Sequence, residues 1–384
     1  MKKIWLTIFL LIILGILIFP MVEKTSDVNQ FALQTPEDSV LKEQTEMNNT
    51  LFGPGLLDFR GIDFFPRPDS YNTGAAFEAL ENLLKLPEIN YIQLRFFLRQ
   101  KSLESSEVKS YDGNQDHILA FLIQRIHKSG KKVSLMPQLY ADSGGYVANL
   151  KPQDKSLWFK SYSESLLHYA QLAEANNVEL FSLGNEFTSM FTDDAEWNAI
   201  VDSIKEVYHG KLTVKLNCWY KETQFNDLLK IHWFQNLDYI GVASYFDLTD
   251  KMDPTEEDLK KAWFNSRQQL NIVHDLEVLY ETYHKPIIFS EIGYRNIDGC
   301  NIEPWNADEK PPRFPKELGT GQKDDAEAVL CTKVLFETFK KQTWWKGTFW
   351  FCWPTGILSE DDTSYGVRGK PILQEILNEY AGRD

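Results

Sequence analysis

A chain of 384 residues, 43% hydrophobic and 14% aromatic, holds enough material for a large core and exceeds the roughly 250 residues of a typical α/β barrel. Its net charge of −15, from 40 basic and 55 acidic residues with the basic ones dispersed, argues against a nucleic-acid partner, because neutralising phosphates requires clustered positive charge. The 11 Trp and 16 Tyr serve a core first and are also compatible with stacking against sugar rings.

Lys2-Lys3 opens the chain and precedes an apolar run from Ile4 to Val22, interrupted only by Thr7, Gly15 and Pro20. That pattern reads as a secretory signal or a membrane anchor. The run approaches the roughly 20 residues needed to cross a bilayer, and no A-x-A cleavage site follows Pro20, which favours a retained tether through residues 4–22. Residues 23–50 are polar and lack sustained periodicity, as a linker does. The folded part, residues 51–384, is therefore expected outside the cytoplasmic membrane.

From Leu51 onward, strand-like and helix-like segments alternate. The candidate strands are Leu57 to Phe64, Tyr91 to Leu98, Lys132 to Leu139, Val178 to Gly184, Lys211 to Cys218, Asp238 to Tyr245, Lys285 to Ser290 and Gly347 to Trp353. Between them Phe159, Tyr162, Leu166, Ala170 and Ala173 recur at helical spacing, as do Trp197, Ile200, Val201, Ile204 and Val207, and then Ala326, Val329, Leu330, Val334 and Leu335. Continuous apolar strands alternating with amphipathic helices imply a parallel sheet covered by helices. Eight such units imply a closed (β/α)8 TIM barrel, preceded by the N-terminal hydrophobic segment and the polar linker.

Two of these strands end on glutamates, in Leu180-Phe181-Ser182-Leu183-Gly184-Asn185-Glu186 and in Ile287-Ile288-Phe289-Ser290-Glu291-Ile292-Gly293-Tyr294. Burying a carboxylate costs several kcal/mol unless it is paired, so two such sites call for a functional explanation. In a parallel barrel both emerge at the end where barrel enzymes carry out their chemistry, and two carboxyls facing one cleft are what glycoside hydrolysis requires.

Other motifs fail. Asp112-Gly113-Asn114-Gln115-Asp116 begins like a calcium loop, but His117 and Ile123 stand where Gly and Glu are needed. The seven histidines and four cysteines show no metal-ligand spacing, and Gly319-Thr320-Gly321 lacks the Lys-Ser/Thr of a phosphate loop, so neither metal nor cofactor is expected. Cys218 and Cys352 read as buried thiols, while Cys300 and Cys331 are candidates to pair in an oxidising compartment.

Asn-Glu after the fourth strand and Glu at the end of the seventh resemble the clan A glycoside hydrolases. Trp158-Phe159-x-x-Tyr162, His168-Tyr169-Ala170, Phe181 to Glu186, Lys285 to Arg295, Asp298-Gly299 with Pro304-Trp305, and Tyr365-Gly366-Val367-Arg368-Gly369-Lys370-Pro371 together resemble glycoside hydrolase family 113, known for β-1,4-mannanases. The resemblance runs from about Arg60 to Tyr380 and departs from the family's pattern at Gln138, where members usually carry His, and across residues 140–145.

The resemblance implies a retaining hydrolase in which Glu186 is the acid/base and Glu291 the nucleophile. Retention requires one protonated and one ionised carboxyl roughly 5 Å apart, so their pKa values must be driven apart. Arg95 is the candidate for keeping Glu291 ionised. By likeness to the clan, Tyr245 would hydrogen-bond Glu291, Asn185 would bind the sugar 2-hydroxyl and Trp353 would form the aromatic floor under the scissile sugar. Asp63 and Gln138, ending the first and third strands, are candidates for binding hydroxyls; Trp305 either lines the cleft or pins its loop. The implied partner is a β-1,4-mannan or manno-oligosaccharide. Two alternatives stand beside that reading: another β-linked glycan with the same mechanism, or a non-catalytic carbohydrate-binding barrel.

Overall fold

The computed structural model describes residues 57–66, 70–111, 115–307, 322–356 and 358–383. The N-terminal apolar run, the polar linker, Asp112 to Asn114 and Gly319 to Gly321 lie outside the described residues. Among the described residues, no helix is long and apolar enough to cross a membrane.

Nine strands are present among the described residues: β1 Phe59–Phe64, β2 Tyr91–Gln100, β3 Lys109–Ser110, β4 Lys132–Ala141, β5 Leu180–Asn185, β6 Lys211–Asn217, β7 Ile240–Ala243, β8 Ile287–Ile292 and β9 Trp345–Trp353. The helices among the described residues are α1 Gly74–Leu84, α2 Gln115–Lys128, α3 Lys155–Ala175, α4 Asp194–Lys205, α5 Glu222–Leu228, α6 Glu256–Ala262, α7 Ile272–Tyr283, α8 Asp325–Phe339 and α9 Pro371–Ala381. The sheet runs β1-β9-β8-β7-β6-β5-β4-β2-β3, and β1 also pairs with β2. That second pairing closes a barrel of eight parallel strands, as the alternating pattern predicts. The short β3 is an addition, an antiparallel edge on the end of β2.

Each element follows from its own residues. The barrel strands are buried on both faces, so they read as near-continuous apolar runs. Helix starts carry capping side chains, such as Asp154 bonding the Leu157 amide, Asp324 bonding the Ala326 and Glu327 amides, and the reciprocal Thr255–Asp258 box at α6. The last helix is anchored to the barrel by Tyr380, whose hydroxyl donates to the Gly61 carbonyl at 2.9 Å.

The interior is layered. Phe59, Tyr91, Leu180, Ile288 and Phe349 form a small apolar plug at the strand starts, separate from the main core between barrel and helices. Gly61 is required here, because a Cβ at that position would lie 2.3 Å from the Phe349 ring. Further along, the buried side chains become polar, beginning with Gln93, Ser134, Ser182 and Thr213. Side chains alternate along a strand, so the next inward positions after Gly61, Gln93 and Thr213 are Asp63, Arg95 and Lys215. The charged groups gather at the carboxyl ends of the strands.

Candidate active site

A cavity of about 1070 Å³ opens at the carboxyl end of the barrel, and both Glu186 and Glu291 line it. Tyr146, Tyr220, Tyr245, Trp305, Phe351 and Tyr365 supply aromatic walls; Asp247 and Gln268 are among its polar lining.

Glu291 is gripped from two strands, β2 and β6, and from the segment just after β7. Arg95 Nη2 lies 2.7 Å from its Oε2, Lys215 Nζ lies 2.5 Å from the same oxygen, and the Tyr245 hydroxyl donates to Oε1 at 3.0 Å. Burial alone would push this carboxyl up, yet Lys215 and Arg95 outweigh it and hold the group at about 2. Burial pushes the Tyr245 phenol well above its ordinary value, and the neighbouring Glu291 anion adds to that, so the phenol remains a donor.

Glu186 sits in different surroundings. Burial pushes its carboxyl up, with Lys215 the strongest opposing charge and the Glu291 anion reinforcing the rise. The Tyr146 hydroxyl interacts with its side chain. Its backbone adopts φ 63°, a left-handed conformation uncommon for a residue with a side chain and typical of functional positions. The Glu186 amide donates to the Lys215 carbonyl at 2.8 Å, which ties this strained residue to β6.

The structure gathers Asn185, Arg95, Tyr245, Gln138 and Asp63 around the two glutamates. Arg95 and Tyr245 stand where the sequence reading assigned them. Asn185 Nδ2 donates to Gln138 Oε1 at 3.0 Å. Asp63 is a correction, since it is fully buried and does not line the cavity. Both of its oxygens are engaged by Arg95 Nε at 3.1 and 3.3 Å and one of them also by Gln93 Nε2. Gln138 Oε1 accepts from Arg95 Nη1 as well as from Asn185. Both Asp63 and Gln138 brace the arginine. Trp305 fulfils both of its readings: its ring lines the cavity, and its Nε1 donates to Asp247 Oδ1 at 2.9 Å.

Trp353 is a further correction. It is buried and turned outward, its Nε1 donating to the Ala79 carbonyl of α1 at 2.8 Å, and it does not line the cavity. Phe351 lines it instead, beside Arg95 and the Tyr365 ring. The cause is a register shift between β1 and β9. Asp63 pairs with Phe351 but Phe64 pairs with Trp353, so Cys352 is skipped and Trp353 takes the outward parity of Phe64.

Sequence reading missed Lys215, Tyr146, Phe351 and Asp247. Lys215 did leave a signal, since a lysine in the apolar strand Lys211-Leu212-Thr213-Val214-Lys215-Leu216-Asn217 shares its parity with Thr213 and points inward. Cys300 and Cys331, the candidates to pair, are free buried thiols with Sγ atoms 4.0 Å apart; Cys218 and Cys352 are also free, but half-buried where the sequence reading expected them buried.

A closed α/β barrel whose carboxyl end holds one carboxyl kept ionised and another whose pKa burial pushes up has the equipment of a glycoside hydrolase. The chain belongs to glycoside hydrolase family 113, whose profile matches residues 62–370. Among solved structures it is similar to the family 113 β-mannanase from Alicyclobacillus acidocaldarius in complex with ManMIm, at 21% identity and a TM-score of 0.70 over 86% of this chain and 99% of that one. A second family 113 β-1,4-mannanase matches at 21% identity and a TM-score of 0.68 over 85% and 100%. The β-D-glucuronidase of Dictyoglomus thermophilum matches at 13% identity and a TM-score of 0.53, over 86% of this chain and 51% of its own. These likenesses show the shared fold. No curated protein sequence matches the chain.

Proposed function

We propose that this protein is a retaining β-glycosidase that cleaves β-1,4-linked mannan or manno-oligosaccharides, with Glu186 as acid/base and Glu291 as nucleophile. The observation that carries the reading is the opposite treatment of the two cleft carboxyls. A carboxylate held at about 2 is a poor proton acceptor at neutral pH but remains an anion able to attack an anomeric carbon. Glu186, raised by burial, keeps the proton that the leaving oxygen needs. That division favours double displacement over an inverting path, where the second carboxyl would have to deprotonate water. Mannan as substrate is supported by the names of the two family 113 structures it resembles.

In the first step Glu291 attacks C1 while Glu186 protonates the departing oxygen. In the second, Glu186 takes a proton from water, which releases the sugar from Glu291. Tyr245 donates to the Glu291 oxygen that Lys215 and Arg95 leave free, fixing the carboxylate plane. Asn185, next to Glu186 in the chain and held by Gln138, is the proposed partner of the 2-hydroxyl. The Phe351 ring takes the role of aromatic floor beneath the sugar. Lys2-Lys3 and the apolar run to Val22 support an extracytoplasmic location and a membrane tether, which fractionation of cells producing the full chain would test.

The test is hydrolysis of mannan beside glucan and xylan, with product anomers followed by NMR. Glu186→Gln and Glu291→Gln are each expected to reduce kcat on the natural glycan at least about 10³-fold, on the scale of lost acid–base or nucleophilic catalysis. Full activity in either variant, or inverted product, refutes the mechanism; cleavage confined to another glycan refutes the substrate.

A further inference from the structure

Among the described residues, Lys215 holds Glu291 through its side chain and Glu186 through its backbone. Its Nζ lies 2.5 Å from Glu291 Oε2, its carbonyl accepts the Glu186 amide at 2.8 Å, and it pairs across the sheet with Asn185. It is almost fully buried, so its charge requires a counter-charge at every stage of the reaction. Around the two carboxyls stand Arg95 from β2, Asp63 from β1, the phenols Tyr146, Tyr245 and Tyr365, and the thiols Cys218 and Cys352. Among these, Arg95 is already committed, because Asp63 engages it through both Nε and Nη2.

The charges then follow the chemistry. Before reaction, the Asp63 and Glu291 anions balance Arg95 and Lys215, and Glu186 is neutral. When Glu291 bonds to C1 it becomes an ester and loses its charge, while the departing oxygen takes the Glu186 proton and leaves an anion there. Arg95 keeps Asp63; Lys215 loses one partner as the other appears. Water then adds to C1, its proton returns to Glu186, the ester bond breaks and Glu291 regains its charge. Net charge in the pocket is the same in both states.

We propose that Lys215 is the counter-ion that the two half-reactions share, neutralising Glu291 while it is free and Glu186 while Glu291 is glycosylated. The inference rests on the retaining reading above and makes Lys215 a positioning residue that acts through both carboxyls.

The test compares Lys215→Met, Lys215→Gln and Lys215→Arg with wild type on a 2,4-dinitrophenyl β-glycoside that the wild type turns over. That leaving group needs no proton, so turnover is limited by removal of the sugar from Glu291, the step requiring Glu186 as base. Lys215→Met and Lys215→Gln are expected to lower kcat about 10²-fold or more, to accumulate glycosyl-enzyme visible by intact mass, and to regain turnover with azide, which attacks without losing a proton. On the natural glycan, whose leaving oxygen does need the Glu186 proton, both limbs of the kcat/KM–pH profile are expected to move up by about one unit or more, since each carboxyl loses a nearby cation. Lys215→Arg, which keeps the charge, is expected to hold the limbs near their wild-type positions. A purely structural role would lower kcat/KM with the limbs unmoved, no trapped intermediate and no azide response, and that result overturns the inference. Retained activity in Glu291→Gln would instead strike the mechanism on which it rests.

Discussion

Asp63 shows how much of a site's chemistry is carried by groups that never meet the ligand. It is fully buried and spends both oxygens on Arg95, whose Nη2 it shares with Glu291, so the arginine is held in place and its charge is balanced inside the barrel. Removing the arginine would strand Asp63 and weaken the hold on Glu291 together. Arg95→Met is therefore expected to cost roughly 3–5 kcal/mol in urea unfolding, the scale for breaking a buried pair, along with most of the activity. The double variant Asp63→Asn/Arg95→Met should recover much of the stability but little of the activity; if stability does not return, the pair is not the reason for the loss. The two glutamates were legible in the sequence because a charge closing an apolar strand stands out. Their braces were not, because Asp63 and Gln138 at strand ends look like groups facing a ligand, and only the three-dimensional reach of Arg95 shows that it engages them first.

At the scale of elements, eight strands and the helices between them were legible because burial on both faces gives continuous apolar runs that helical spacing interrupts. What strand pattern cannot show is a skipped residue. Strict alternation puts Phe351 and Trp353 on the same face, and the shift that passes over Cys352 separates them. The two rings consequently have separable roles. Phe351→Ala is expected to lower kcat/KM by about 10²-fold with a small change in Tm, since it removes a wall of the cavity and no core contact. Trp353→Ala leaves a void between β9 and α1 and removes the indole's bond to the Ala79 carbonyl, so it is expected to cost about 3–5 kcal/mol of stability. Thermal unfolding and steady-state kinetics on both variants decide this, and the reversed outcome would return Trp353 to the cleft.

Over the whole molecule, the barrel separates what holds it together from what reacts. Its closing seam is the β1–β2 pairing, and at the plug end that seam depends on Gly61, where the Phe349 ring occupies the space of a missing Cβ and Tyr380 reaches in from the last helix. The polar layer lies two residues further along the same strands and the charged cluster four, so strain in the plug reaches the glutamates only through strands buried on both sides. Gly61→Ala must displace Phe349 and is expected to destabilise the fold by about 1–3 kcal/mol, as overpacking a full core does. It should do so without moving either limb of the pH profile, because the plug contains none of Lys215, Arg95 and Tyr146, which tune Glu186 and Glu291. Pairing it with Phe349→Leu is expected to restore part of the lost Tm by making room for the methyl. If Gly61→Ala shifted the pH limbs while the protein stayed folded, the two ends of the barrel would be electrostatically coupled, and the layered division of labour would fail.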